Sequence, residues 1–268
     1  MNIHTSQNKT TLWESLTIQK RVIHALFMRE IITRYGRHNI GFLWLFVEPM
    51  IFTLGVTALW TATKAVHGGD LAIVGFALTG YSSILLWRNT AMRCGKAIEA
   101  NAALLFHRNV KIIDIVIGRA LLEIIGASIS FMVLGIIFTT LGLMDLPVDI
   151  FKLLMGWLLT AWFALSLGLV IACVSEASEL FDRLWHAATY LIFPLSGAGF
   201  LVDWLPEKMQ QVVLFLPMVH GTEMMRHGFY GDKIITYENP TYMITMNLIF
   251  TFVGLLWVKY IGKKVVPE

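Results

Sequence analysis

Apolar residues in this chain arrive in long runs separated by short polar stretches, and the run lengths carry the first inference. A helix crosses the hydrocarbon of a bilayer in about 20 predominantly apolar residues. Six stretches meet or approach that length: 41–63, 71–92, 117–142, 153–174, 184–202 and 241–258. The fourth and sixth hold no charge at all. The first carries Glu48 followed by Pro49, the second Arg88 near its end, and the third Arg119 and Glu123 at its start. The fifth is broken by Pro194 and by Gly197-Ala198-Gly199. The pattern predicts an all-α integral membrane protein, a single transmembrane domain over 1–268 with six spans.

Four segments outside these runs have a pattern of their own. Residues 12–35 place Leu16, Ile23, Phe27 and Ile31 on one helical stripe, with Arg21, Arg29 and Arg34 off it. This predicts an amphipathic interface helix lying along the inner leaflet; the alternative is a cytosolic helix packed on a partner. Residues 94–108 set polar Lys96, Glu99 and Asn101 beside Ile98, Ala102 and Leu105 at helical spacing. A short turn would suffice to join two spans, so this extra cytosolic helix is expected to meet a partner. Residues 203–226 hold a short apolar stretch, 212–219, among the breakers Pro206, Pro217 and Gly221. They predict external half-helices that dip into the membrane without crossing it. Such backbone is stable only where protein or a watery cavity covers it. The acidic stretch 175–183 reads as a solvated turn whose Ser and Glu cap the next helix.

Cations set the orientation, because Lys and Arg accumulate on the cytoplasmic side. With the N-terminus inside, the inner segments hold fifteen of them and the outer segments five. Both termini are therefore expected in the cytoplasm. The first 39 residues carry six cations and no apolar core of leader length, so insertion is expected to rely on the first span.

Composition agrees: mean hydropathy is +0.66 and 15% of residues are charged, against about 25% in soluble domains. The net charge of +3 is small; its placement matters more than its size. Cys94 and Cys173 both fall near cytoplasmic helix ends and are expected to remain unpaired thiols. The two halves are not inverted copies, which argues against a repeat-swapped secondary transporter.

Several chemistries lack their residues. There is no Gly-x-x-x-x-Gly-Lys-Ser/Thr loop for nucleotide, no His-Glu-x-x-His, no Gly-x-Ser-x-Gly and no paired-cysteine motif. His220, Glu223 and His227 read as polar groups facing external water rather than as metal ligands. Arg29, Arg34, Arg37 and His38 crowd the inner surface. They read either as anchors on anionic lipid or as a dock for an anionic, membrane-bound head group, since Arg grips phosphate bidentately. Glu30 sits among them and is available to pair with one. A carboxylate in hydrocarbon costs several kcal/mol, so Glu48 is expected beside water or a partner.

The run Met28-Arg-Glu-Ile-Ile-Thr-Arg-Tyr-Gly-Arg-His-Asn-Ile-Gly-Phe-Leu-Trp-Leu-Phe-Val-Glu-Pro resembles the signature of polysaccharide-export ABC permeases. Ile40-Gly-Phe-Leu-Trp44 and Gly36-Arg-His-Asn39 depart from the commoner pattern in the direction of the capsular-polysaccharide branch. The segment from Leu216 to Tyr230 is similar to that branch as well. The resemblance implies the membrane subunit of an exporter, not itself an enzyme. It would work as a homodimer with two copies of a cytosolic ATPase that hold ATP and magnesium; no cofactor is expected in this chain. The cargo would be a lipid-linked acidic polysaccharide, passed to periplasmic and outer-membrane export proteins; nucleic acid is not among the partners. The resemblance further implies substrate contacts at Arg29, Arg34, Arg37, His38, Trp44 and Glu48. It implies ATPase coupling through Lys96, Glu99, Asn101 and Leu105, and no metal site. Other lipid-linked glycans, such as O-antigen or teichoic acid, are the alternative cargo. An ion-gradient flippase is the rival mechanism, and a membrane-embedded transferase or hydrolase is a further rival that lacks a convergent acid–base set.

Overall fold

Thr11 and Glu14 start the first helix reciprocally. The Thr11 amide donates to Glu14 Oε2 at 2.8 Å, and the Glu14 amide donates to Thr11 Oγ1 at 3.3 Å, so two otherwise orphaned N–H groups are satisfied. The computed structural model describes residues 11–35, 39–63, 71–106 and 109–265, and every regular element among them is helical. α1 (Leu12–Tyr35) precedes α2 (Asn39–Thr63), and α3 (Ile73–Ile84) runs through a π-turn at Leu85–Asn89 into α4 (Thr90–Gly95). α5 (Ile112–Thr140), α6 (Ile150–Ala177) and α7 (Glu179–Ile192) follow, then the short α8 (Glu207–Val213), α9 (Pro217–Tyr230) and α10 (Pro240–Val265).

Four of these helices are long and apolar enough to cross a membrane: Leu43–Thr63, Ile112–Thr140, Ile150–Ala177 and Pro240–Lys263. The other two expected spans take different forms. The stretch 71–92 becomes the α3–α4 rod, whose backbone stays right-handed helical through the π-turn. The stretch 184–202 does not form one helix. α7 ends at Ile192, a 3-10 turn follows at Phe193–Leu195, and Gly197 takes a positive φ of 81°, a conformation glycine adopts without steric cost.

α6 is the central element, packed against α4, α9 and α10. Its Asp149 cap accepts from the Lys152 amide at 2.9 Å. α10 crosses it with Asn247 Nδ2 donating to the Leu159 carbonyl at 3.0 Å and Trp162 Nε1 donating to Thr251 Oγ1 at 3.1 Å. α1 lies along the first half of α5. α2 crosses α5 where Pro49, having no N–H, leaves the Leu45 carbonyl without its helical donor. At that crossing a Cβ on Gly126 would sit 2.8 Å from the Leu45 side chain and 3.2 Å from its carbonyl oxygen. Threonine hydroxyls along α2 donate to carbonyls one turn back, at 2.7 Å for both Thr57 and Thr61, which keeps them satisfied in an apolar setting.

α9 is almost wholly buried although only 14 residues long. At 1.5 Å per residue it extends about 21 Å, less than a bilayer core.

Candidate functional site

The two acids that interrupt the apolar runs, Glu48 and Glu123, meet at one cation. Arg93, at the end of α4, stands between two carboxylates. Its Nη2 lies 3.7 Å from Glu48 Oε1 on α2, and its Nε lies 3.9 Å from Glu123 Oε1 on α5. Arg93 and Glu48 are about half exposed, and Glu123 is buried. A small cavity of about 10 Å³ sits at this joint, lined by Glu48, Pro49, Asn89 and Glu123 among others. Glu48 therefore has a partner that the sequence reading did not name. The available signal was that Arg93 is the first cation after an apolar run, and that Glu48 and Glu123 are the acids set into two others.

A second set of contacts joins α1 to α5 and to the segment that follows α4. Arg29 Nη1 donates to Asn101 Oδ1. Arg119 on α5 holds Glu30 Oε1 at 2.9 Å and donates from Nη1 to the Lys96 carbonyl at 3.3 Å. Glu30 thus pairs with α5 rather than with a cation of its own helix. Gln19 Nε2 donates to Asp114 Oδ1 at 2.9 Å, while Asp114 Oδ2 accepts the Lys111 amide and caps α5.

The segment 94–108 is not the single amphipathic helix that its spacing suggests. α4 stops at Gly95, and a 3-10 turn at Glu99–Phe106 is kinked at Asn101. Asn101 and Leu105 are buried; Asn101 Nδ2 donates to the Ala97 carbonyl at 2.8 Å. Ala102, placed on the apolar face by its spacing, is exposed, whereas Ile98 is buried. Lys96, Glu99 and Phe106 remain outward, and Phe106 is 75% exposed. Beside them opens a cleft of about 370 Å³ lined by Lys96, Glu99, Glu176, Glu179, Asp182 and Arg183. Lys96 Nζ lies 3.9 Å from Asp182 Oδ2 across it. The turn at 175–183 does cap α7, with Ser178 Oγ accepting the Phe181 amide at 3.3 Å, and it also walls this cleft.

Of the remaining predicted contacts, Trp44 is exposed on α2 one turn before Glu48. Arg37 and His38 lie outside the described residues, and Arg34 lies within α1 without a described side chain. Cys94 and Cys173 are free and buried.

His220 and Glu223 were expected to face water with His227. His220 and Glu223 do not face water: both are buried. Glu223 accepts the Val202 amide at 3.4 Å and the Tyr237 amide at 3.2 Å, and burial pushes its carboxyl up to about 7 against the pull of nearby Arg226. His220 accepts the Asn239 amide at 3.1 Å, and its other ring nitrogen lies 2.9 Å from the Leu214 carbonyl; burial holds its pKa below the ordinary value. His227 pairs with Glu238. The physical reason is that the segments around α9 fold back over it, and their buried N–H groups need acceptors. No group of three His, Cys, Asp or Glu side chains suited to a metal occurs among the described residues.

Comparison with known proteins places this geometry. Residues 21–230 match the family described as ABC-2 type transporter. The chain belongs to that family. Among its relatives within the family's range, the capsule polysaccharide export inner-membrane protein CtrC of Neisseria meningitidis serogroup B is 48% identical over 97% of this chain and 98% of its own. The capsule polysaccharide export inner-membrane protein BexB of Haemophilus influenzae is 44% identical over the same shares. The polysialic acid transport protein KpsM of Escherichia coli is 26% identical over 89% of this chain and 92% of its own. The family match begins within α1 and ends with α9, so the Arg93 joint, the Arg29 and Arg119 contacts and the whole of α9 lie inside it.

Proposed function

We propose that the chain is the transmembrane subunit of an ATP-driven exporter that moves a lipid-linked acidic capsular polysaccharide across the bacterial inner membrane. The observation that carries this reading is the near-full-length match to inner-membrane capsule export proteins of two organisms. On this reading two copies pair, and two cytosolic ATPase subunits dock beneath them and hold ATP and magnesium. Periplasmic and outer-membrane export proteins take up the polymer. The α3–α4 rod and α7 with its following turn supply the second and fifth crossings. Both termini face the cytoplasm, supported by the excess of Lys and Arg in the inner segments. α8 and α9 are half-helices on the outer side; α9 is covered by protein, as buried non-spanning backbone must be, while α8 buries only Val213.

The mechanism follows from the joints. The exposed Lys96, Glu99 and Phe106 meet the ATPase, while Asn101 and Leu105 fasten the segment to the body. A push on that segment reaches α1 through Arg29–Asn101 and α5 through Arg119 and the Lys96 carbonyl. It reaches α2 through Arg93. Arg29, Arg34, Arg37 and His38 receive the anionic end of the lipid-linked polymer, and Trp44 and Glu48 line its way in.

The deciding experiment is complementation. A capsulated bacterium lacking its own inner-membrane export subunit receives this chain with its ATPase, and surface polymer is measured. Restored surface polymer is expected; none, from a chain that reaches the membrane and binds the ATPase, overturns the reading. In the same assay Arg34→Ala is expected to lower surface polymer at an unchanged membrane level.

A further inference from the structure

Arg226 is fully buried, yet no carboxylate lies in salt-bridge contact with it among the described residues. Its guanidinium instead serves main-chain carbonyls. Nη1 donates to Gly197 at 2.6 Å and to Phe200 at 2.5 Å, and Nη2 donates to Ala198. The group lies over the Phe76 ring of α3, 3.7 Å from its centroid. One turn earlier on α9, Glu223 accepts the Val202 amide. A single turn of α9 thus fastens the irregular stretch 197–202 by both kinds of backbone group.

Leu201 and Val202 of that stretch pack into apolar clusters, but the carbonyls of Gly197, Ala198 and Phe200 find their donors on Arg226. The stretch lies outside any regular helix, is largely buried, and turns at the positive φ of Gly197. Its carbonyls, buried away from water, would each cost free energy unpaired. A planar guanidinium with five donors serves three carbonyls at fixed angles; an ammonium is a compact point charge and does not. α3 makes room for the arrangement: a Cβ on Gly80 would stand 2.4 Å from the Ala198 carbonyl oxygen and 2.7 Å from Arg226 Nη2.

The stretch follows α7, just beyond the 3-10 turn at Phe193–Leu195. α7 itself buries only Thr189 and carries exposed Leu180, Leu184, Tyr190 and Leu191. It touches the α3–α4 rod through Arg88, 4.9 Å above the Tyr190 ring, and through Asp182 opposite Lys96. The helix packs along one edge, with Phe181, Trp185 and Ile192 against the apolar cluster of Trp87 and Phe163, and over about 21 Å its 14 residues lead from the cleft at Lys96 toward the turn that Arg226 holds.

We propose that Arg226 is a positioning residue for transport, anchoring the 197–202 turn so that the outer end of the path stays shut until α7 moves. This rests on the exporter reading and on the outward placement of α9. Movement of α7 at its Asp182 end draws the turn off the guanidinium and opens that end.

The test uses the complex with its ATPase in liposomes, with a single reporter Gly199→Cys, an exposed position next to Trp60, in a background lacking Cys94 and Cys173. Arg226→Lys keeps the charge and loses the fork. A several-fold rise in ATP-independent iodide leak and in labelling of the reporter by a membrane-impermeant maleimide is expected, at an unfolding temperature near that of the parent. Wild-type leak and labelling in folded Arg226→Lys overturn the proposal. If that variant does not fold, the parent decides: ATP must raise reporter labelling with Arg226 present, and unchanged labelling overturns the proposal. Complementation that succeeds while these readouts stay flat leaves the exporter reading standing and removes only the role of Arg226.

Discussion

Arg93 sits 3.7 and 3.9 Å from its two carboxylates, longer than the roughly 2.7–2.9 Å of a tight charge-assisted hydrogen bond. A half-exposed pair of this kind contributes about 0–1 kcal/mol to stability. Its geometry suits a joint that opens and closes better than a structural rivet. Arg93→Gln is therefore expected to leave the unfolding temperature of the purified protein within a few degrees while surface polymer falls sharply. Equal export by the variant would remove this joint from the mechanism. Glu223 behaves in the opposite way, being buried with its carboxyl raised from 4.5 to about 7. The folded chain holds that proton more tightly than the unfolded one, so its contribution to stability is complete below about pH 4.5. It declines as pH rises and is gone above about pH 7. Thermal unfolding of the protein and of Glu223→Gln across that window checks this: the variant should lose part of the decline. Glu48 was legible as unusual because an acid interrupts an apolar run; Arg93 was not legible as its partner, because which helix faces which is absent from a one-dimensional pattern. His220 and Glu223 were misplaced for a related reason. Breaker-rich sequence looks solvated until the chain folds back and buries it.

At the scale of elements, the segment after α4 shows how spacing misleads. Ile98 and Leu105 at helical intervals suggested one amphipathic helix, but a 3-10 turn kinked at Asn101 buries Asn101 with them and leaves Lys96, Glu99 and Phe106 outward. Arg29 decides this by capturing the Asn101 side chain from a helix 72 residues away. On the proposed reading, the coupling role divides between residues that face a partner and residues that hold the segment in place. Glu99→Lys is expected to weaken ATPase co-purification and polymer-stimulated hydrolysis without lowering the membrane level. Normal values of both would refute contact at this position. α7 likewise departs from its expected form. Its amphipathic sequence supports a helix, but Pro194, Ser196 and Gly197 turn the chain before a full crossing is complete.

At the scale of the molecule, the described residues hold four uninterrupted apolar helices of spanning length where six spans were expected. The other two runs are interrupted, one by a π-turn and the other by an irregular turn, the sort of interruption that buried protein surroundings tolerate. Orientation rests on the distribution of cations, and a reporter fused after Glu268 tests it. A fluorescent protein that folds only in the cytoplasm should fluoresce there, and a phosphatase active only outside should be silent. The reverse result would invert the whole topology and with it the outer placement of α9.

The apolar runs, the charge asymmetry and the absence of a nucleotide loop were decided along the chain, because insertion in a bilayer depends on the length and polarity of contiguous segments. So was the basic Arg-rich approach to Glu48-Pro49, whose pattern already resembled its family. Tertiary structure alone decided the partners: Arg93 between Glu48 and Glu123, Arg29 on Asn101, and Arg226 on the carbonyls of 197–200. Lone charges in apolar surroundings demand partners, but the partners lie on helices distant in sequence, and only packing brings them within reach.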